Sequence, residues 1–171
     1  MKKLVVMCLL AIISMSAFAQ TQQGQSSFGF NIGYGFNDNG NALLGIDYRY
    51  NFTDEVRFAP SLTYFVKDNG ISAWAIDLNA HYVFKLSDMF GFYPLAGLDL
   101  SFWKWSGVNL DLGKWDEFKS GSANETRFGA NVGLGGEVYA TDQLTVGLEF
   151  KYNIIKDFDQ PILAVRVGYN F

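Results

Sequence analysis

The feature that most constrains this chain is a two-residue alternation that recurs in eight segments. In the first, FGFNIGYGF from Phe28 to Phe36, every second residue is large and apolar, and the intervening residues are glycine or asparagine. A period of two is typical of a β-strand whose two faces differ. A soluble sandwich would carry long polar side chains opposite its core, but this strand has almost no side chains there. The bulky face therefore needs an apolar environment that the strand's own fold does not supply.

Seven further segments repeat the pattern. Each has a continuous apolar face, and its opposite face is small or charged. The connections between them are rich in Gly, Asp, Asn and Ser, which favour turns. The eight predicted strands comprise residues 28–36, 42–52, 56–66, 73–84, 92–103, 126–140, 144–152 and 161–171.

Eight strands with two such faces favour a closed barrel that spans a membrane. An eight-stranded interior is only just wide enough for side chains, so it could not hold all the Phe, Tyr and Leu residues. Bulky residues are therefore predicted to face lipid, with small and charged residues inside. In hydrocarbon an open edge would leave backbone groups unpaired, so the first and last strands must pair. The predicted fold is all-β, an eight-stranded antiparallel up-and-down transmembrane β-barrel.

The first 19 residues have the features of a secretory signal peptide. Lys2 and Lys3 precede an apolar run from Leu4 to Ile13, and Ala17-Phe18-Ala19 offers a small-x-small cleavage site. The run is shorter than the roughly 20 residues of a membrane-spanning helix. We therefore expect residues 1–19 to be removed and residues 20–171 to form a barrel in the bacterial outer membrane.

Composition excludes several other classes of protein. The one cysteine, Cys8, lies in the signal segment, so the exported chain has no disulfide or thiolate metal site. The formal net charge of −4 becomes −6 without Lys2 and Lys3, which argues against nucleic acid as a partner. His81 is the only histidine, so a metal site with several histidines is excluded. No cofactor or metal is expected.

The connection lengths predict which way the barrel faces. Export delivers the chain start to the periplasm, and an even number of crossings returns the chain end to the same side. The short turns 53–55, 85–89 and 141–143 should lie there, with the longer connections outside. Aromatic residues near both ends should form belts at the membrane surfaces. The external belt is predicted to contain Trp74, Trp103, Trp105 and Trp115, and the periplasmic belt Tyr50, Phe52, Phe84, Tyr169 and Phe171.

Charged residues of both signs share the inward faces of the predicted strands. One interpretation is a gated ion path. We favour an internal salt-bridge plug, because unpaired charges in so narrow a lumen would cost several kcal/mol each. The set comprises Asp47, Arg49, Arg57, Asp77, Asp99, Arg127, Glu137, Glu149, Lys151 and Arg166, of which Arg49, Glu137, Glu149 and Arg166 are expected at similar heights, where they can pair.

The longest predicted connection, Lys104 to Glu125, is the best candidate for surface recognition. Trp105, Trp115 and Phe118 are large apolar residues in an otherwise polar segment, and such residues often anchor contacts. Alternatively, they lie in the lipid headgroup region or fold over the barrel mouth. Both alternatives are open on the sequence alone.

Over its whole exported length, the chain resembles the OmpA/OmpX-type family of eight-stranded outer-membrane barrels. The most specific feature is the C-terminal VRVGYNF, an alternating strand that ends in an aromatic residue. The resemblance implies that Val167, Tyr169 and Phe171 are read by the barrel-assembly machinery. It is a resemblance to single-barrel members, without a peptidoglycan-binding domain.

We expect a non-enzymatic, monomeric barrel with a filled lumen and a structural or surface-interaction role in the Gram-negative envelope. The main alternative is a narrow gated pore for ions or small solutes. A third is a lipid-modifying enzyme, as known from the wider superfamily. Such enzymes work near the outer leaflet, whereas His81 is four residues from a predicted periplasmic turn. The expected partners are outer-membrane lipid and the assembly machinery.

Overall fold

The computed structural model describes residues 22–36, 40–68, 71–105, 123–156 and 159–171. No helix within these ranges is long and apolar enough to cross a membrane. The β-segments are β1 (Ser26–Gly35), β2 (Asn41–Asn51), β3 (Val56–Asp68), β4 (Ile71–Tyr82), β5 (Phe84–Lys85), β6 (Phe90–Trp105), β7 (Ala123–Tyr139), β8 (Leu144–Ile155) and β9 (Gln160–Asn170).

These segments form one closed antiparallel sheet. β1 pairs with both β2 and β9, and β4 pairs with β6. β5 continues β4 in the same register, because His81 faces Leu95 and Phe84 faces Phe92. β4 and β5 therefore form one strand of the wall, and the barrel has eight strands. The predicted fold class is confirmed, including the pairing of the first strand with the last.

The two faces of each strand lie on the outside and the inside of the barrel. In β1, Phe30 is 47% exposed, whereas the neighbouring inward Gly29 is buried. Large exposed apolar side chains recur at every second position around the wall. An exterior of this kind is suited to contact with acyl chains, and closure leaves no sheet edge in the hydrocarbon.

Two prolines interrupt the ladder locally without shifting its register. The β2–β3 pairing lapses at Pro60 and then resumes in the same register. The wall strand formed by β4 and β5 is likewise interrupted at Val83, beside the position opposite Pro94. Proline has no N–H to donate to a neighbouring strand, which accounts for both gaps. The register shift in the β3–β4 pairing lies elsewhere, between Phe65 and Asp68.

The connections define two ends of the barrel. The turns 52–55, 86–89 and 140–143 lie at the end where Ser26 and Phe171 exchange backbone hydrogen bonds, and we call this the turn end. The opposite loop end carries the connections that include residues 37–39, 69–70, 106–122 and 157–158, which lie outside the described residues. There β6 and β7 extend further than the sequence predicts, until Trp105 pairs with Ala123. The predicted connection from Lys104 to Glu125 is therefore too long at both ends, because backbone pairing continues into it.

Candidate functional site: the barrel interior

The barrel interior consists of two layers of different chemistry. Near the turn end lies a network of buried charges, and near the loop end lies a cluster of aliphatic and aromatic side chains. We call the first the charged layer, formed by Asp47, Arg49, Arg57, His81, Tyr93, Glu137, Glu149 and Arg166. We call the second the apolar layer, formed by Leu43, Phe65, Ala73, Ala75, Trp103 and Ile162.

Arg49 of β2 lies at the centre of the charged layer and is 4% exposed. Its Nε donates to Asp47 Oδ1 at 2.9 Å, and its Nη1 donates to Glu137 Oε2 at 3.0 Å. Its Nη2 donates to Glu149 Oε2 at 3.2 Å and to the hydroxyl of Tyr93 at 3.2 Å. All three nitrogens of the guanidinium therefore have a carboxylate partner, which offsets the cost of burying the charge.

Glu137 of β7 connects Arg49 to a second arginine. Arg57 Nη1 donates to Glu137 Oε1 at 2.8 Å, and the hydroxyl of Tyr139 donates to the same oxygen at 2.7 Å. Arg57 Nε also donates to His81 Nδ1 at 3.3 Å. The network thereby links side chains from β2, β3, β4 and β7.

Tyr93 of β6 is fully buried in the charged layer, although it does not belong to the inward set predicted from the sequence. Its hydroxyl donates to Glu149 Oε2 at 2.9 Å. Its ring stacks on His81 with 4.5 Å between centroids, and the guanidinium of Arg57 lies 4.8 Å from the ring centroid. A cation over an aromatic face is a favourable contact. The sequence does contain a signal for this position, namely strand parity, the odd or even place of a residue in its strand. Tyr93 and the inward Asp99 are both at odd positions, so they face the same side.

Arg166 of β9 completes the layer on the side of β1. Its Nε lies 2.8 Å from both oxygens of Asp47, and its Nη2 donates to Ser27 Oγ at 3.1 Å. A Cβ at Gly29 or at Gly168 would collide with the Arg166 side chain. The bare face of the first strand therefore makes room for this arginine.

Lys151, Asp77 and Asp99 lie between the two layers. Lys151 Nζ donates to Asp77 Oδ2 at 2.6 Å. Asp77 also accepts hydrogen bonds from Ser61 Oγ at 3.0 Å and from Asn131 Nδ2 at 2.8 Å. Asp99 faces Asp77 across the β4–β6 pairing. Both carboxyl groups are fully buried.

The structure unites most of the predicted inward charges, but not all of them. Of the four residues expected at one height, Arg49 pairs with Glu137 and Glu149, whereas Arg166 pairs with Asp47. Arg127 lies apart, near the loop end. It pairs with Glu125 of its own strand and donates to the carbonyl oxygen of Lys156 at 3.3 Å.

The apolar layer corrects two expectations. The inward face is not uniformly small or charged, since Leu43, Phe65 and Ile162 are large, inward and 2–3% exposed. Trp103, predicted to lie in the external belt, is also inside. Its ring is nearly parallel to that of Phe65 with 6.3 Å between centroids, and its Nε1 donates to Ser101 Oγ at 3.0 Å. The physical reason is parity, because Trp103 is two residues from the inward Ser101.

Little space remains between these side chains. A cavity of about 40 Å³ extends along one side of the interior, from Arg49 and Lys151 to Leu43 and Ile162. This volume has room for a few waters, since one water needs roughly 10–15 Å³ measured in this way. Among the described residues, no group of three or more His, Cys, Asp or Glu side chains could hold a metal ion.

The other predicted residues that the structure describes lie on the exterior or at the loop end. Val167, Tyr169 and Phe171 are exposed on the outer face. Trp74 is also outward, with its ring 4.7 Å from that of Tyr64. Trp105 is the last residue of β6, and Trp115 and Phe118 lie outside the described residues.

Comparison with known proteins agrees with this architecture. The chain matches the family model of the outer membrane protein beta-barrel domain over residues 5–171. No curated protein sequence matches it.

Similar solved structures include three outer-membrane barrels. The N-terminal β-barrel domain of Pseudomonas aeruginosa OprF is 19% identical, with a TM-score of 0.65 over 87% of this chain and 98% of that one. Ail, the attachment invasion locus protein of Yersinia pestis, is 18% identical, with a TM-score of 0.59 over 88% and 100%. Neisserial surface protein A is 14% identical, with a TM-score of 0.61 over 85% and 94%. The chain belongs to the outer membrane protein beta-barrel domain family, and its location is the bacterial outer membrane.

Proposed function

We propose that this protein is a non-enzymatic barrel with a filled lumen, which acts as a rigid element of the Gram-negative envelope and presents its loop end for surface interactions. The observation that carries the proposal is the stacking of two buried layers along the interior. Each layer closes the lumen by a different physical means.

The charged layer fixes the barrel wall from within. Glu137 of β7 bonds to arginines of β2 and β3, and Asp47 of β2 bonds to Arg166 of β9. These pairs connect strands that are distant in sequence. Removing one partner would leave an uncompensated charge in a buried site, which costs several kcal/mol. The wall is therefore held in one arrangement.

The apolar layer closes the lumen to ions. An ion that enters from the loop end would have to pass the close-packed side chains of Leu43, Phe65 and Trp103, which are 2–3% exposed. Hydrophobic constrictions of this kind block conduction by excluding water. The small lumen cavity does not provide a continuous path, and it is the size of a few waters.

Conductance in planar lipid bilayers tests the filled lumen. We expect no steady openings from the purified wild-type protein under conditions in which a porin control conducts. Steady openings that Glu137→Gln abolishes, in a variant that still folds, would establish the rival narrow pore instead. Leu44→Ala, which changes an outward side chain, serves as the matched control for an effect confined to the lumen.

The non-enzymatic assignment is supported by the surroundings of His81. This side chain is 3% exposed, accepts a hydrogen bond from Arg57 and stacks on Tyr93. It faces the interior, so a lipid substrate on the exterior could not reach it. We expect the lipid composition of the outer membrane to be the same with wild type and with a folded His81→Ala variant. Loss of a lipid modification in that variant would contradict the proposal.

The surface role is assigned to the connection between β6 and β7. Because Trp105 pairs with Ala123, replacing residues 106–122 by Asn-Gly should close the same hairpin with a two-residue turn. We expect this variant to fold and to lose surface partners that the full chain captures from the medium or from host cells. Identical partners for both proteins would remove this connection as the recognition element.

Two further partners belong to the proposal. Acyl chains are expected to cover the exposed apolar exterior, as the pattern of outward side chains requires.

The barrel-assembly machinery is expected to read Val167, Tyr169 and Phe171, which are accessible on the exterior. Phe171→Ala should lower the amount of barrel inserted in the outer membrane, and unchanged insertion would contradict that role. The inserted protein should be monomeric.

A further inference from the structure

An apolar groove interrupts the outer surface of the barrel near the turn end. It is open to the exterior, and its volume is about 800 Å³. The groove crosses β6, β7 and β8, and it reaches the turn that contains Ser87. Phe90 and Phe92 line one side, and Val146 and Leu148 line the other.

The groove exists because one outward position has no side chain. Gly136 of β7 lies between Phe92 of β6 and Leu148 of β8 in the register of the sheet. A Cβ at Gly136 would have only one neighbour within 4 Å, the carbonyl oxygen of Gly91 at 3.9 Å. By contrast, the inward Gly133 and Gly135 are crowded, and a Cβ there would collide with neighbouring atoms. Packing within the barrel therefore accounts for the inward glycines but not for Gly136.

We propose that this groove holds one acyl chain of a phospholipid, with the headgroup beside Ser87 at the turn end. The groove opens onto the apolar exterior, where hydrocarbon is the surrounding medium. Apart from Ser87 at the turn end, its exposed lining is almost entirely apolar, so the floor of the groove offers little to a polar occupant. An acyl chain on the floor of the groove at Gly136 would be contacted by protein from three sides. An acyl chain on the smooth outer wall is contacted by protein from one side only.

The shape of the groove favours an acyl chain over a second copy of the protein. Phe92 and Leu148 project on opposite sides of Gly136, and both are partly exposed. The outer wall of a second barrel is convex and broad, so these side chains would hold it away from the floor. A flexible hydrocarbon chain can reach the floor between them.

The turn end of the groove has a donor suited to a phosphate. Ser87 Oγ accepts hydrogen bonds from the backbone N–H groups of Met89 and Phe90, at 3.3 and 3.2 Å. These bonds use the acceptor capacity of the oxygen, so its hydroxyl proton is available to a headgroup oxygen. An acyl chain in the groove would place its headgroup at this end.

Solution NMR with a defined lipid tests the proposal. The delipidated protein is placed in perdeuterated detergent micelles and titrated with 1-palmitoyl-2-oleoyl-phosphatidylethanolamine. We expect nuclear Overhauser effects between acyl methylene protons and the methyl groups of Val146 and Leu148, and one lipid retained per barrel by native mass spectrometry. Gly136→Leu fills the groove and should lower lipid retention at least tenfold.

Ala96→Leu is the matched control, because Ala96 is an exposed outward residue of β6 opposite Val132, away from the groove. It adds the same side chain to the exterior and should leave lipid retention unchanged. Amide spectra establish that the variants fold. If Gly136→Leu does not fold, Gly136→Ala, whose single methyl group has room, should still lower retention.

Two results would overturn the proposal. The first is equal lipid retention by wild type and by folded Gly136 variants. The second is a set of Overhauser effects at Leu148 that connect two differently labelled copies of the chain, since these would identify a second barrel as the occupant.

Discussion

The charged layer and the apolar layer fill the same interior with opposite chemistry. In the charged layer, Glu137 and Asp47 each bond to two arginines, with directed bonds of 2.8–3.0 Å. In the apolar layer, Phe65 and Trp103 contact through stacked rings, and the packing has no required direction. The first layer therefore links particular strands across the lumen, and the second fills the lumen near the loop end with apolar side chains.

The comparison also shows where the barrel should tolerate change. An unpaired buried charge has no substitute partner, so the charged layer is sensitive to the removal of a single group. An apolar layer loses contacts in proportion to the atoms removed and to the cavity that results. Three substitutions in the two layers, and one in an exposed ion pair, test these two kinds of sensitivity.

The largest effect is expected for Glu137→Leu. The substitution leaves Arg49, Arg57 and the Tyr139 hydroxyl without their shared acceptor, and we expect the free energy of unfolding to fall by about 3–5 kcal/mol. Urea unfolding in lipid vesicles measures it. Asp142→Asn, in an exposed turn, is the control and should change little. A loss below about 1 kcal/mol for Glu137→Leu would mean that the charged layer does not hold the wall.

A smaller effect is expected for Leu43→Ala in the apolar layer. We expect a loss of about 3 kcal/mol, because the deleted methyl groups leave a cavity between fixed strands. Its neighbour Leu44 is 42% exposed on the outer face, so Leu44→Ala lacks the cavity contribution, since acyl chains can fill the space. The same unfolding measurement compares the two leucines. Equal losses would contradict a packed layer at Leu43.

Tyr93→Phe should have a moderate effect. The substitution keeps the stacked ring and removes only the hydroxyl that bonds to Glu149 and Arg49. Hydrogen bonds to charged groups are worth about 1.5–3 kcal/mol, and we expect a loss of about 2 kcal/mol in unfolding free energy. In the Glu149→Gln background the loss should shrink. An unchanged loss there would show that the Tyr93 hydroxyl and Glu149 are not coupled.

The smallest effect is expected for Lys85→Ala at the turn end. Lys85 Nζ lies 3.8 Å from Asp54 Oδ2, and the two side chains are 28% and 54% exposed. Exposed ion pairs contribute little, so unfolding free energy should change by about 0.5 kcal/mol or less. A larger loss would show that exposure does not separate this pair from the pairs of the charged layer.

The fold follows from the sequence because strand parity is a local property. Phe28 to Phe36 is enough to show that one face of β1 is bulky and the other bare, and parity also predicts that Asp47 and Arg166 face inward. The pairing partners do not follow from parity. Arg166 bonds to Asp47, more than a hundred residues away, and that contact depends on how far each strand is staggered when the barrel closes.

For two side chains, Trp103 and Tyr93, the residue type predicts the wrong face of the strand and the parity predicts the right one. The prediction that Trp103 lies in a surface belt rests on the frequency of tryptophan there, although Trp103 shares its parity with the inward Ser101. Tyr93 is absent from the predicted inward set, because Tyr93 and Leu95 are large residues at inward positions and make the alternation in this strand irregular. In both cases the position in the strand predicts the face of the side chain better than the residue type does. Trp115 and Phe118 lie outside the described residues, so their predicted role in recognition stays a prediction.

Large apolar side chains cover the outside of the barrel, while the inside is packed and closed to lipid. Side-chain NMR in lipid nanodiscs tests this arrangement, with a nitroxide label near the end of the acyl chains as the probe. We expect clearly stronger attenuation of the signals of Phe30 and Leu148 than of those of Leu43 and Trp103, because paramagnetic broadening falls steeply with distance from the label. Stronger attenuation of Leu43 and Trp103 than of Phe30 and Leu148 would show that the apolar side chains in contact with lipid are the other set.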